Sequence, residues 1–208
     1  MRLYHSPGTR GTRVVWTLEE IGEPYEVKIV TREDRGSDEH RQRHPLGRVP
    51  VIELDDGRTI FESAAVCLHL ADLHPDAGLI PLVGTYERGL TYQWSVFAMA
   101  EVEKRVFGWL FAKRKGEDLT EHADGFAPLA DALRDAVRDQ PWLAGESFTV
   151  ADILCASMIG NAFNRELLTE DGPLRDWAQR AQQRPANLRA EDRDQKERQT
   201  AGLRRKQS

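Results

Sequence analysis

The 208-residue chain holds only two cysteines, Cys67 and Cys155, far apart and each inside an apolar, helix-like pattern. With no Cys-x-x-Cys and no clustered ligands, neither a disulfide framework nor a metal site is expected, and both thiols read as buried and reduced. No apolar run is long enough to span a bilayer, and MRLYHSPG lacks the basic-then-apolar order of a signal peptide. A cytoplasmic protein without membrane contact is therefore expected. Positive charge is not in excess either: the net charge is -5, which argues against a nucleic-acid-binding body. The last stretch, residues 186–208, is poorest in apolar side chains and carries seven Lys/Arg against four Asp/Glu, leaving -8 on residues 1–185. Such a segment cannot offset the entropy of ordering itself, so a solvated helix end and then a charged, disordered tail are expected. No internal repeat is present.

What remains is 40% apolar and 30% charged, the balance of a folded globular chain. RLYH reads as a short strand broken by Ser6-Pro7-Gly8. From Thr12, Val14, Val15, Leu18 and Ile21 fall on one helical face, Arg13 and Thr17 stay on the polar side, and Gly22 stops the helix. YEVKIV is a second strand, completing a right-handed βαβ unit. VIEL and TIF flank Asp55-Asp56-Gly57, a hairpin signal, and SAAVCLHLADL follows as a helix. The order β-α-β-(irregular helix)-β-β-α is that of a thioredoxin-like domain over residues 1–80. PDAGLIPLVGT reads as a linker, and residues 86–185 as an all-helical domain in which Leu129, Leu133 and Val137 recur at spacings of four.

Four stretches stand out chemically. Thr9 and Arg10 precede the first helix. On one reading Thr9 caps it and Arg10 is a surface charge. On the other, a hydroxyl and a cation aimed where the helix dipole is positive stabilise a thiolate. Lowering a thiol pKa by about two units takes about 2.7 kcal/mol, within reach of one charge-assisted hydrogen bond plus a dipole. Cys67 and Cys155 lie elsewhere, so that thiol has to arrive with a substrate. Arg48-Val49-Pro50 either starts a strand plainly or, with a cis bond, turns the Val49 main chain outward as an edge for a peptide ligand. Ser63 is a natural N-cap, yet a helix start also binds a carboxylate, and Glu62 beside it suits an ammonium; together they describe the α-carbon end of an amino acid. Thr149-Val-Ala-Asp152 is a capping box that organises a buried helix.

These stretches resemble the cytosolic glutathione transferase family, of the bacterial kind with a serine or threonine at the active site. SPGTRGTRVVWTLEEIGEPYEV is similar to its first strand and helix, HPLGRVPVIELDDGRTIFESAAVCLHLADLHP to its glutathione-site segment, and FTVADI to its helical-domain capping box; the likeness covers about residues 1–185. It implies an α/β thioredoxin-like domain followed by an all-α bundle, and a homodimer. It also implies a transferase joining the thiolate of glutathione, as co-substrate, to a small hydrophobic electrophile. Thr9 falls where the sulfur-activating hydroxyl stands, with Arg10 beside it. Val49 and Pro50 fall on the cis-proline loop, Glu62 and Ser63 at the γ-glutamyl end, and Arg48 near the glycyl end. Helix phase assigns the acceptor pocket to Trp94, Phe97, Glu101 and Trp109. Thr9 replaces the usual serine, its branched Cβ restricting the hydroxyl, and His44 replaces the usual asparagine, as a turn residue. A thiol-disulfide oxidoreductase of the thioredoxin or glutaredoxin kind is disfavoured by the missing cysteines. A binding protein without turnover, or a glutathione-dependent isomerase, dehalogenase or peroxidase, stays open.

Overall fold

The computed structural model describes residues 1–202. The chain divides into two compact units, one of residues 1–77 with the chain from 185 onward, the other of residues 78–184. The first unit is built on a four-stranded sheet of β1 (Arg2–His5), β2 (Glu26–Ile29), β3 (Val51–Glu53) and β4 (Thr59–Phe61) in the order β2-β1-β3-β4. β1 and β2 run parallel across α1 (Gly11–Ile21), while β3 is antiparallel to both β1 and β4. A 3-10 turn and the short α2 (Asp38–Arg43) fill the irregular stretch, and α3 (Ser63–Leu73) follows β4. The thioredoxin-like order of elements is thus present. Gly22, at φ 82, ends α1 by donating its N–H to the Leu18 carbonyl at 2.9 Å, a left-handed stop that glycine adopts without steric cost.

The helical unit contains α4 (Tyr86–Phe97), a π-helical turn at Ala98–Val102, α5 (Glu103–Lys115), α6 (Thr120–Ala136), α7 (Val150–Asn164) and α8 (Pro173–Gln182). α7 runs through its centre, touching α4, α5 and α8, and is apolar almost all round because neighbours cover it on every side. The α6 stripe of Leu129, Leu133 and Val137 is buried as its spacing requires. The capping box forms at the start of α7, where Asp152 accepts the Thr149 N–H at 2.9 Å. Asp152 further accepts the Leu143 N–H at 2.9 Å and the Trp177 indole N–H at 3.0 Å, tying the preceding loop and α8 to the same carboxylate. No helix of the described residues is long and apolar enough to cross a membrane.

The expectation of a disordered tail over 186–208 is overturned for residues up to Thr200. These form α9 (Pro185–Thr200), which packs along α1 in the first unit. Ala186, Asn187, Ala190 and Asp194 make its buried stripe at helical spacing. Polar anchors do the rest. Arg189 donates to the Glu19 carboxylate at 2.9 Å and to its carbonyl at 2.8 Å, and Arg193 lies 4.3 Å over the Tyr25 ring. The remainder of that expected tail, 203–208, lies outside the described residues. Covered by α3 and by α9, α1 is buried on two faces: Arg13 is 2% and Thr17 0% exposed, although the periodicity assigns both to solvent.

Candidate functional site

One row of the sheet assembles the site. Tyr4 of β1 pairs with Val51 of β3, and Val51 pairs with Phe61 of β4, so these three residues cross the sheet at a single end. Immediately past that row lie the loop carrying Thr9 and Arg10, the Arg48-Val49-Pro50 segment and the Glu62-Ser63 pair. The two antiparallel pairings thus bring three stretches, distant in sequence, to one edge, and α1 contacts α3 alongside it.

The Val49–Pro50 bond is cis, and the β1–β3 ladder ends at Val51, which leaves Val49 beyond the last rung. Val49 packs on the small cluster of Tyr4, Val30 and Val51, and Pro50 is buried while Arg48 is exposed. His40 of α2 supports this segment from behind: it is 2% exposed and its Nε2 meets the Arg48 carbonyl at 2.9 Å. His44 accepts the Leu46 N–H on Nδ1 at 3.2 Å, and its carbonyl accepts the Gly47 N–H at 2.8 Å, so it closes the Pro-Leu-Gly turn. Burial lowers the His44 pKa, against an upward pull from Glu62. Gly47 has φ 59, and a Cβ there would stand 2.2 Å from the Arg35 carbonyl, so the turn tolerates only glycine. Arg35 itself has a buried Nε with no hydrogen-bond partner among the described residues, and burial, followed by nearby Arg32, lowers its pKa. Neither His40 nor Arg35 was legible as a support of this segment, because nothing local distinguishes them from the basic and acidic residues around them.

At the α3 start the structure corrects the expected cap by one residue. Glu62 is the N-cap and Ser63 the first helical residue. Glu62 has φ 70, a left-handed conformation that costs a non-glycine residue about 1–3 kcal/mol and that clusters at ligand sites. The Ser63 hydroxyl is 3% exposed and accepts a 3.4 Å hydrogen bond from the Arg13 guanidinium. A hydroxyl, the N–H groups of a helix start and a nearby guanidinium are chemically suited to a carboxylate.

In the first loop Thr9 does not present its hydroxyl proton outward. Its Oγ1 donates to the Ser6 carbonyl at 2.7 Å and accepts the Gly11 N–H at 3.3 Å. Ser6 donates to the Val30 carbonyl at 2.6 Å, and Tyr4 to Glu53 at 3.0 Å. Arg10 is exposed at the N-cap of α1. Neither cysteine is available: both are buried, and neither is in a disulfide; burial pushes the Cys67 thiol up to about 11. Among the described residues one group of possible metal ligands, His5, Asp194 and Glu197, comes within 4.8 Å. Its chemistry is that of a hydrogen-bonded lock: Asp194 already takes three donors and Glu197 accepts from Arg193.

The residues expected for an acceptor pocket belong to the helical unit. Trp94 and Phe97 are half-buried and stack edge to face at 5.4 Å, and Glu101 is exposed. Trp109 departs from the expectation: it is 3% exposed, in the core, with Lys113 over its ring at 4.5 Å. The π turn between Phe97 and Glu103 adds a residue to one turn and rotates everything after it by about 100°, so a uniform helical phase misplaces Trp109.

A family model described as the N-terminal domain of glutathione S-transferase matches residues 10–73. Glutathione S-transferase PM239X14 of Arabidopsis thaliana is 31% identical over 158 residues, 68% of this chain and 71% of the relative. The chain belongs to the glutathione S-transferase family. Its similarity extends to the disulfide-bond oxidoreductase YfcG of Escherichia coli, 26% identical over 203 residues, 90% of this chain and 93% of that one. Among solved structures, a sphingomonad glutathione S-transferase complexed with glutathione superposes with a TM-score of 0.78 at 28% identity, covering 94% of this chain and 99% of that one. The segment matched by the family model contains Arg10, Arg48, Val49, Pro50, Glu62 and Ser63; Thr9 lies one residue before it.

Proposed function

We propose that the protein binds glutathione at the sheet end described above and delivers its thiolate to a small hydrophobic electrophile. The observation that carries this reading is the row Tyr4–Val51–Phe61, which converges a helix start with a nearby cation, an unpaired main-chain edge and a carboxylate receptor. Such a set fits the sulfur, the cysteinyl backbone and the γ-glutamyl carboxylate of one tripeptide, with Glu62 for the ammonium and Arg48 for the glycyl end. The acceptor is assigned to the helical unit, around Trp94, Phe97 and Glu101, with Trp109 supporting from the core.

Sulfur ionisation is assigned chiefly to Arg10 and the α1 dipole, with Thr9 secondary, because the Thr9 proton is committed to the Ser6 carbonyl. Arg10→Ala is expected to raise the apparent thiol pKa of bound glutathione by about one unit, which cuts the ultraviolet thiolate band about tenfold at pH well below the wild-type pKa. Thr9→Val is expected to lower the band less than twofold at the same pH. A band unaffected by Arg10→Ala and abolished by Thr9→Val would reverse the assignment. Retention on immobilised glutathione and turnover of a chromogenic aryl halide test the reading as a whole.

A second reading is favoured by the relationship to YfcG, which spans nearly the whole chain. Here the bound thiolate attacks a disulfide, forming a mixed disulfide and releasing a thiolate. With Cys67 and Cys155 buried, every reacting sulfur would come from glutathione or the disulfide substrate. Reduction of a small disulfide by glutathione, without aryl halide turnover, would select it.

We further infer a homodimer in solution. Leu82, Val83, Tyr86 and Val96 of the helical unit are 79%, 85%, 76% and 65% exposed, large apolar side chains that a partner copy would cover. Sedimentation is expected to give twice the 23.6 kDa chain mass. Val96→Glu is expected to shift it toward the monomer, and a monomeric wild type refutes this.

A further inference from the structure

The loop that carries Thr9 and Arg10 is held from outside itself. One carboxylate, Asp194 of α9, reaches the residue before it, the residue in its middle and the helix after it. Its Oδ1 meets His5 Nε2 at 2.7 Å, where β1 ends. Its Oδ2 accepts the Gly8 N–H at 2.8 Å and the Thr12 hydroxyl at 2.6 Å, in the first turn of α1. Three donors on one acid, spread over the eight residues from His5 to Thr12, fix the path of the chain between them.

The surroundings leave that path little freedom. His5 is fully buried, and a Cβ on Gly11 would stand 2.0 Å from its Nδ1, so the ring fills the space under the helix start. Gly8 has φ 71, and a Cβ there would stand 2.1 Å from Arg198, so α9 also covers the loop through a second side chain. Within the loop, Ser6 and Thr9 spend their hydroxyls on Val30 and Ser6 carbonyls, which closes it on the sheet side. Asp194 is 7% exposed. Burial pushes its carboxyl up, but hydrogen bonds from His5, Thr12 and Gly8, with the His5 charge, hold it below the usual range; it is an anion when the site works.

We propose that Asp194 is a positioning residue for sulfur activation, holding the loop of Thr9 and Arg10 in its working shape so that α9 forms part of the site. The proposal rests on the glutathione-thiolate reading above. It makes a sign prediction that separates geometry from electrostatics. Through its field alone, an anion beside the helix start disfavours a thiolate, so neutralising it would lower the thiol pKa. Through positioning, losing its acceptor geometry raises that pKa instead.

The test uses the full chain with glutathione bound, following the thiolate band against pH together with aryl halide kinetics. Asp194→Asn is expected to raise the apparent thiol pKa by about one unit and to lower kcat about tenfold. KM for glutathione is expected to change less than about threefold, because Arg48, Glu62 and Ser63 hold the tripeptide's ends. Thr12→Val, which removes one of the three donors at nearly constant shape, is expected to shift the pKa the same way by less. Arg189→Ala loosens α9 at Glu19, two turns along α1 and away from the loop; it is expected to lower thermal stability and leave the thiol pKa alone. A folded Asp194→Asn protein with an unchanged or lowered thiol pKa overturns the proposal. Should that variant fail to fold, an unchanged pKa in Thr12→Val overturns it equally. A wild type that ionises bound glutathione while both variants match it defeats this inference alone; a wild type that never ionises it defeats the function reading as well.

Discussion

Asp152→Ala is expected to destabilise the protein by about 4 kcal/mol, lowering its melting temperature by about 10 °C. The carboxylate is fully buried and accepts from the Leu143 N–H, the Thr149 N–H and the Trp177 indole at once. Removing it strands three buried donors, each costing about 1–3 kcal/mol when left unmade. Burial is the largest influence on this acid and raises its pKa, which the hydrogen bonds offset only in part. The sign follows from linkage. A folded pKa above the unfolded one means that the contribution is complete below the unfolded value and is lost as pH rises through the folded one. The stability gap between wild type and Asp152→Ala is therefore expected to be widest in acid and to narrow toward neutral pH. Asp152→Asn, which keeps one acceptor and drops the penalised charge, is expected to cost about half as much. Thermal melts of the three proteins from acid to neutral pH check all of this, and equal melting temperatures would refute it.

The second large effect falls on binding. Ser63→Ala is expected to weaken glutathione binding by about 10–100-fold, the equivalent of about 1.5–3 kcal/mol for a hydrogen bond to a charged group. The loss should appear in KM more than in kcat, because the carboxylate end of the tripeptide is remote from the sulfur. The hydroxyl sits in the first turn of α3 and takes a hydrogen bond from buried Arg13, so its oxygen is oriented before any ligand arrives. Calorimetric titration with glutathione gives the constant directly, and unchanged affinity would remove Ser63 from the site.

The local signals in the chain proved readable where the physics is local. Strand RLYH, the Gly22 stop, the Asp-Gly hairpin and the Thr149–Asp152 box each depend on a few consecutive residues, and each stands where its residues place it. What escaped was set at a distance. The buried stripe of α9 is made of alanine, asparagine and aspartate, so hydropathy sees no core face there; its partner, Glu19 on α1, is 170 residues away. Arg13 and Thr17 look solvent-facing until that second cover is known. The Thr9 hydroxyl was readable as a residue type, but its direction depends on a carbonyl three residues back. Ser63 shifted from cap to first turn because Glu62 adopts a positive φ that no glutamate advertises. Trp109 moved into the core because one π turn resets the phase of the helix carrying it.

The first unit is discontinuous in the chain: its sheet is made from residues before 78, and its last helix from residues after 184. On a ribosome, that means the β-sheet emerges early and then waits while more than a hundred residues are added, on the order of 5–20 s at typical elongation rates. During that interval α1 lacks one of its two covers, and Gly8 and Thr12 lack the acid that receives them. The helical unit, contiguous from end to end, can finish first. Nascent chains released before about residue 200 would carry a complete bundle and a sheet unit whose α1 still lacks one of its covers, a form more open to proteolysis than the finished chain.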